Sequence, residues 1–477
     1  MASIKSNIFW NILRVGSNLL FPLITFPYAS RILGTDGIGL FNYALSIASY
    51  FTLFGALGFN VYGVREVASV KEDAKKLEEA VNSIFTANVI TTAIVYILYL
   101  IACIWIAGSN FWIYFVIGFS ILFSCIGFEW FYQGIEDFKF VTIRTLIVRA
   151  VSAVCLFIFV KTPSDLIIYS IITIGATFGN NILNYLRIWK YIHLRLTSVG
   201  IWTHVKGASV LFIGTIAVSL YNNMNNILVG ALSDMSSVGI FSTGNKVVHM
   251  VLTVISAISM SIIPRTAYLI NNKSKDEVTE FQRKSINLIL YLALPLTAGL
   301  AIFSKPIILL FAGDQFAPAS SVLLILSLLI VIIPLSSFLG YQVLIPNHEE
   351  KYGNYAVITG SVINLVLGFI LIPRYTYIGV AVSVIVTETV ITLLHFIYSW
   401  KFADLTWKDF FPIKSIIATV VMGVSTLLLY NLNDNQYISI AWITVGALIY
   451  IGTLMALKDS FFCQMIARVV RTKKTNA

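Results

Sequence analysis

Charge is what this sequence has least of. Of 477 residues only 11% are Asp, Glu, Lys or Arg, while 58% are hydrophobic. Soluble domains carry about 25% charged residues. A chain this poor in charge cannot cover a soluble surface, and the apolar patches left over would aggregate. That excludes a soluble enzyme and a disordered chain. Cysteine is scarce as well. Cys103, Cys125, Cys155 and Cys463 show no CxxC or zinc spacing, which excludes a disulfide scaffold. Three of them sit in apolar runs and read as small core residues. No Walker motif is present, so the chain is not expected to hydrolyse ATP itself. Long polar loops are missing too, which leaves no room for a soluble domain.

What remains is apolar runs of membrane-spanning length, about 20 residues each. They fall near 8–32, 37–63, 82–107, 110–132, 141–161, 164–187, 208–232, 238–264, 286–311, 319–345, 354–373, 376–400, 413–431 and 437–457. The runs are too long and continuous for the alternating strands of a β-barrel. Counting Lys and Arg in alternate loops gives 25 on one side, 4 on the other and 3 inside runs. Positive residues favour the cytoplasmic side, so this asymmetry supports fourteen spans with both termini in the cytoplasm. The N-terminal MASIKSNIFW leads into the first run without a small-residue cleavage site and reads as the first span. The net charge of +10 is then mainly a record of topology, and no nucleic-acid partner is expected. In the loop Glu66 to Ala80, Glu72/Lys76 and Lys75/Glu79 stand at helical spacing, predicting a solvated surface helix.

An internal repeat is visible. Gly34-Thr-Asp36-Gly37-Ile-Gly39-Leu-Phe41 links runs one and two, and Gly230 to Phe241, ending Gly239-Ile-Phe241, links runs seven and eight. The offset is 200 residues, and the runs concerned are six apart, so the halves share one orientation. Two lobes around a central cavity are predicted.

At these residues the chain resembles a known family. Pro27-Tyr-Ala-Ser-Arg31-Ile-Leu-Gly34 and Tyr62-Gly-Val-Arg65-Glu66-Val-Ala68 look like the N-terminal signature of Wzx-type oligosaccharide flippases. These belong to the multidrug/oligosaccharidyl-lipid/polysaccharide exporter superfamily. Glu129-Trp-Phe-Tyr-Gln133-Gly-Ile-Glu136 matches that family's W-[FL]-x-Q-G-x-E segment, and Gly379 to Glu388 is similar to its Gly-Ala-Ala…Glu segment. The resemblance implies an all-α polytopic membrane protein with about 14 transmembrane helices: two pseudo-symmetric six-helix lobes around a central cavity, plus two C-terminal helices. It places an N-terminal lobe at 1–190, a cytoplasmic linker at 191–207, a C-terminal lobe at 208–400, and the last two helices with a basic tail at 401–477. It implies a non-enzymatic transporter in the bacterial inner membrane. The cargo would be an undecaprenyl-diphosphate-linked oligosaccharide repeat unit for O-antigen, capsule or exopolysaccharide, carried to the periplasmic leaflet. Membrane lipid, a polysaccharide polymerase and a chain-length regulator are the implied partners. No cofactor is implied beyond H+ or Na+ coupling. Two alternatives stay open: a drug/cation antiporter of the same superfamily, and a membrane-embedded polymerase or glycosyltransferase. The first needs acids to attract cations, and the second needs acid/base or metal groups on one face.

The few charges inside runs are the candidate functional residues, because each costs about 2.5–3.5 kcal/mol at the membrane centre and so should face a cavity or a partner. Arg14 lies two turns into run one, with Asn11, Ser17 and Asn18 on its face. Arg149, and Lys246 with His249 one turn on, add cationic candidates. Asn222 and Asn226, in an Asn-rich cluster with Asn223 and Asn225, could bind sugar hydroxyls. These define the expected cargo cavity. Glu388, near mid-span, must be protonated, paired or wet, and His395 lies two turns away, so this pair is the expected ion-coupling site. Arg31, Asp36, Arg65, Glu66 and Glu129 stand near helix ends and are candidates for gate or lobe contacts. Pro22, Pro27, Pro264, Pro295 and Pro334 are expected to bend their helices.

Overall fold

The computed structural model describes residues 4–431, 436–459 and 461–463, and it is helical throughout, with no strand among the described residues. Its contacts divide the chain into two compact units, Met1–Ser242 and Thr243–Ala477. Helix α9, which begins inside the 191–207 segment, packs with the first unit, and the division falls inside α10. Among the described residues nine helical runs are long and apolar enough to cross a membrane, or ten if one bent pair counts as a single span. Two of these runs each hold two of the fourteen expected spans, joined across a break.

The first unit holds α1 (Ile4–Ala56), α2 (Phe59–Val70), α3 (Ala74–Ile106), α4 (Phe111–Cys125), α5 (Glu129–Gly134), α6 (Phe138–Phe159), α7 (Leu166–Phe178), α8 (Asn180–Ile188) and α9 (Ile201–Leu232). It also takes the first two turns of α10 (Met235–Asn272). Helix α1 is two helices joined at Gly34, whose φ of 68° suits glycine and few other residues. It is the hub of the unit, packing on α3, α4, α6 and α9. Helices α7 and α8 meet at a bend of 44°. Exposed apolar residues lie three and four apart, as Ile94, Ile97, Leu98, Ile101 and Ile104 do along α3. Such a stripe is what a lipid-facing helix presents.

Two of the family motifs prove to be one packing unit. Trp130, Phe131 and Tyr132 on α5 are buried in a core with Phe59 and Val67 of α2. The Trp130 ring lies on Gly63, and Val67 lies on Gly134. Glu136, which ends the second motif, pairs with Lys71 at 2.8 Å. The surface helix expected over Glu66 to Ala80 is instead interrupted. Helix α2 stops at Val70, and Asp73 caps α3 by accepting from the backbone N–H groups of Lys75 and Lys76. A capping side chain satisfies N–H groups that no helical carbonyl reaches, so the helix starts there. Lys76 turns to Asp73 at 3.4 Å and Glu78 to Arg195 at 3.7 Å, rather than forming the expected pairs with Glu72 and between Lys75 and Glu79.

The repeat motifs meet within the first unit. A Cβ on Gly39 would collide with the Met235 carbonyl, and one on Gly239 with the Thr35 carbonyl. The two contacts are interchanged by the 200-residue offset. On either side Ser236 Oγ donates to Thr35 Oγ1 at 2.7 Å, and Asn42 Nδ2 donates to Ser242 Oγ at 2.9 Å. Asn42 and Ser242 are themselves repeat equivalents.

The second unit continues α10 and adds α11 (Lys275–Ile302), α12 (Ser304–Ala312), α13 (Ala319–Leu326), α14 (Leu329–Phe338), α15 (Glu350–Ser399), α16 (Ile413–Asn431) and α17 (Gln436–Ala456). A π-helical turn, Leu339–Leu344, extends α14. Helix α15 folds two expected spans around Thr376, which has a left-handed φ of 47°. Its first half buries Ala356, Gly360, Asn364 and Gly368, one small residue per turn. Small residues let helices approach closely without a hydrophobic driving force. Gly360 lies against Ile391 and Thr387 of the second half. Helices α16 and α17 form a pair held on α11. There Ser415 and Tyr450 hydroxyls share a bond of 2.8 Å, Tyr450 donates to the Tyr291 carbonyl at 2.9 Å, and Tyr291 donates to Asp459 at 2.8 Å.

Candidate functional site

In the first unit four helices bring intramembrane cations around one carboxylate. Arg14 Nη1 of α1 lies 2.5 Å from Glu129 Oε1 at the start of α5. Gln133, one helical turn on, donates to the same oxygen at 3.3 Å. Arg149 Nη1 of α6 donates to Ser17 Oγ at 2.6 Å, and Ser17 donates to the Arg14 carbonyl at 2.7 Å. The two arginines thus share one face of α1. Arg144 lies five residues before Arg149 on α6, is 4% exposed, and donates to the Asn180 carbonyl of α8 at 2.7 Å. It counted with the loop cations in the sequence, but packing has turned it inward. Three guanidinium groups around a single carboxylate leave the cluster net positive.

An outer layer supports it. Arg187 of α8 pairs with Asp137 at 2.9 Å and lies 3.7 Å over the Phe140 ring. Asn184 is fully buried, donates to the Gly127 carbonyl and accepts at its own carbonyl from Tyr132. Fixed partners of this kind hold α5, α6 and α8 in register, and α5 carries Glu129. Chemically the cluster offers charge-assisted donors to an anion, for which guanidinium is well shaped.

The remaining cavity candidates are more scattered. Asn18 is exposed, one residue beyond Ser17. The side chain of Asn222 lies outside the described residues. Asn226 donates to Ser46 of α1 at 3.0 Å, and the buried Asn225 carries an Oδ1 with no hydrogen bond among the described residues. Asn226 therefore ties α9 to α1. In the second unit Lys246 is half-buried and His249 exposed on α10.

Glu388 and His395 are both buried on one face of α15, 9% and 7% exposed. His395 Nδ1 meets Ser336 Oγ at 2.9 Å. Thr387, beside Glu388, and Asn364, one turn from Gly360 on the facing half of α15, are fully buried. Neither Thr387 Oγ1 nor either amide atom of Asn364 has a hydrogen bond among the described residues. Native proteins leave few buried polar groups without partners, which sets this seam apart from the apolar packing around it. Sequence reading missed Asn364 and Thr387, although the polar residue in the Ala356-Gly360-Asn364-Gly368 stripe was the available signal.

The gate candidates are peripheral. Arg31 is exposed and donates to the Pro27 carbonyl at 2.6 Å, and Asp36 is exposed beyond the Gly34 break. Arg65 is exposed on α2, with Glu66 half-buried beside it. Glu129 alone among these five joins the cationic cluster.

Comparison with known proteins agrees with this architecture. The sequence pattern of the family described as "Polysaccharide biosynthesis protein" matches residues 4–270, and that of MatE matches residues 211–370. The chain is 26% identical over 405 residues to the "Putative O-antigen transporter" of Escherichia coli (strain K12), covering 82% of this chain and 95% of that one. It is 23% identical over 377 residues to the "Capsular polysaccharide biosynthesis protein CapF" of Staphylococcus aureus, covering 77% and 92%. Among solved structures, lipid II flippase MurJ in an inward closed conformation superposes with a TM-score of 0.74 at 17% identity, over 96% of this chain and 100% of that one. An inward-facing multidrug resistance MATE transporter gives 0.62 at 13% identity, over 80% and 93%. A multi-pass helical membrane protein with this fold and a family match over more than half its length belongs to the polysaccharide biosynthesis proteins, the Wzx-like branch of the multidrug/oligosaccharidyl-lipid/polysaccharide exporter superfamily.

Proposed function

We propose that this protein is a flippase that moves undecaprenyl-diphosphate-linked oligosaccharide repeat units from the cytoplasmic to the periplasmic leaflet of the bacterial inner membrane. The observation that carries the reading is the buried and half-buried group of Arg14, Arg144 and Arg149, of which only Arg14 pairs with a carboxylate, Glu129, among the described residues. A diphosphate and its sugars cannot enter hydrocarbon, whereas the polyprenyl tail can remain there. Fixed guanidinium groups at membrane depth replace the water that the diphosphate gives up. The relatives' names, an O-antigen transporter and a capsular polysaccharide biosynthesis protein, support the same class of cargo.

In this reading the two lobes rock between inward-open and outward-open states, and Lys246 adds a cation from the second lobe. A counter-moving H+ or Na+ resets the cycle through Glu388 and His395. Asn364 and Thr387 add neutral oxygen donors on the same seam. Polymerase and chain-length regulator act on the cargo after release. The chain performs no bond chemistry of its own.

The test is complementation in cells lacking the native gene. Arg14→Ala and Lys246→Ala are each expected to cut surface polysaccharide at least tenfold and to accumulate lipid-linked units, with protein levels unchanged. Normal polysaccharide in both would overturn the cationic cavity. A fully active Glu388→Gln would remove that carboxyl from coupling. Drug efflux by the wild type, without a polysaccharide phenotype, would favour the antiporter reading instead.

A further inference from the structure

A second cationic site lies in the second unit, apart from both the Arg14 cluster and the Glu388 seam. A cavity of ≈ 340 Å³ is lined by Lys273, Lys275, Thr279, Gln282, Asn347 and Lys401. These residues come from the α10–α11 turn and the start of α11, the α14–α15 turn and the segment after α15. All three connections belong to the Lys/Arg-rich set that marks the cytoplasmic side in the sequence.

The lining has the composition of an anion site. Three lysines face one carboxylate, Asp404. Lys273 is shared with Glu277 at 3.5 Å, while Lys275 and Lys401 form no ion pair among the described residues. One wall is the first two turns of α11, which also carry Asp276 and Glu277, so the positive charge of the pocket comes from its lysines. The floor is rigid. Gln282 is 1% exposed and donates to the Gln342 carbonyl at 3.1 Å. The Gln342 side chain, also 1% exposed, has neither amide atom in a hydrogen bond among the described residues. Gln342 lies behind Gln282 rather than in the lining, and the lining itself is polar at Thr279, Gln282 and Asn347.

The depth of the site follows from its neighbours. Trp400 immediately precedes Lys401, and its ring lies 5.5 Å from that of Trp407. The two are 44% and 60% exposed. Exposed tryptophans concentrate at the head-group level of a bilayer. Lysines at that level, in a hollow between helix ends, meet lipid phosphates.

We infer that this pocket binds the phosphate of an anionic lipid head group in the cytoplasmic leaflet. A bilayer phospholipid and a lipid-linked diphosphate share that chemistry. The assignment does not depend on the cargo proposed above, because none of its residues belongs to the Arg14 cluster.

The experiment uses the full-length protein in detergent, with native mass spectrometry to follow lipid binding. The probes are phosphatidylglycerol, phosphatidylcholine and, separately, soluble pyrophosphate. The double variant Lys275→Gln/Lys401→Gln is expected to weaken the tightest phosphatidylglycerol binding about 25-fold, roughly fivefold per lysine. Phosphatidylcholine binding should not change, which also reports that the variant is folded. Lys275→Arg/Lys401→Arg should retain the tight binding. Undiminished phosphatidylglycerol binding in the double Gln variant overturns the site. Lysine-dependent pyrophosphate binding that phosphatidylglycerol cannot displace overturns the lipid assignment in favour of a soluble anion. Displacement of phosphatidylglycerol by a polyprenyl diphosphate, but not by pyrophosphate, supports the lipid-linked source.

Discussion

Arg14 and Glu129 show what a single pair contributes. Their side chains are 27% and 40% exposed, so the ion pair adds only about 1 kcal/mol or less to stability. Its effect is on where charge sits: Glu129 offsets one of three guanidinium groups and leaves a net-positive surface. The exchanged variant Arg14→Glu/Glu129→Arg is therefore expected to melt within a few degrees of the wild type yet to lose polysaccharide export. Thermal denaturation and complementation measured together check this, and full export by the exchanged protein would mean that the pair acts only as a strut. Arg14 was legible in the sequence as a cation inside an apolar run. Its partner was not, because the two lie 115 residues apart and nothing local links them. Arg144 is the opposite case. Its position beside Lys139 suggested an interfacial charge, and only the packing of α6 on α8 shows it buried against Asn180.

At the scale of elements, the signature motifs turn out to be packing devices. Gly63 and Val67 of α2 receive Trp130 and Gly134 of α5, and Lys71 closes the contact onto Glu136. Two segments that resembled the family at separate places are one interlocked surface. The repeat behaves likewise: Gly39 and Gly239 exist so that two backbones can cross. Gly39→Val is expected to force the crossing apart, with an overpacking cost of about 1–3 kcal/mol. The measurement is cross-linking between Asn42→Cys and Ser242→Cys, whose native side chains are hydrogen-bonded at 2.9 Å. Efficient cross-linking in the otherwise native chain should drop several-fold when Gly39→Val is added, and an unchanged yield would contradict the close crossing. Both helix breaks fall at boundaries between runs read from the sequence, at Gly34 and at Thr376. The left-handed φ of Thr376 was not legible, because a β-branched residue rarely adopts it and tertiary packing imposes it.

For the whole molecule, α16 and α17 are the part least specified by motif, and their attachment rests on polar contacts. Asp459 is 5% exposed, accepts from Tyr291 and from the Phe462 N–H, and so ties the segment after α17 to α11. Asp459→Ala leaves both donors buried and unpartnered, at about 1–3 kcal/mol each. The expected outcome is a lower melting temperature with new proteolytic cleavage in the 400–412 connection, where α16 is joined to the rest. Unaltered stability and cleavage would show that apolar packing alone holds the pair. The sequence by itself determined that the chain is a helical membrane protein, which runs are apolar enough to span, and which few charges lie at membrane depth. Those properties are local sums of hydropathy and charge, so counting residues along the chain recovers them. Only the tertiary structure decided that Arg14 meets Glu129 and is linked through Ser17 to Arg149, that Asn364 and Thr387 are buried on facing halves of α15, and that Lys273, Lys275 and Lys401 line one pocket. Those are contacts between residues tens to more than a hundred positions apart, fixed by helix packing, and no local pattern encodes them.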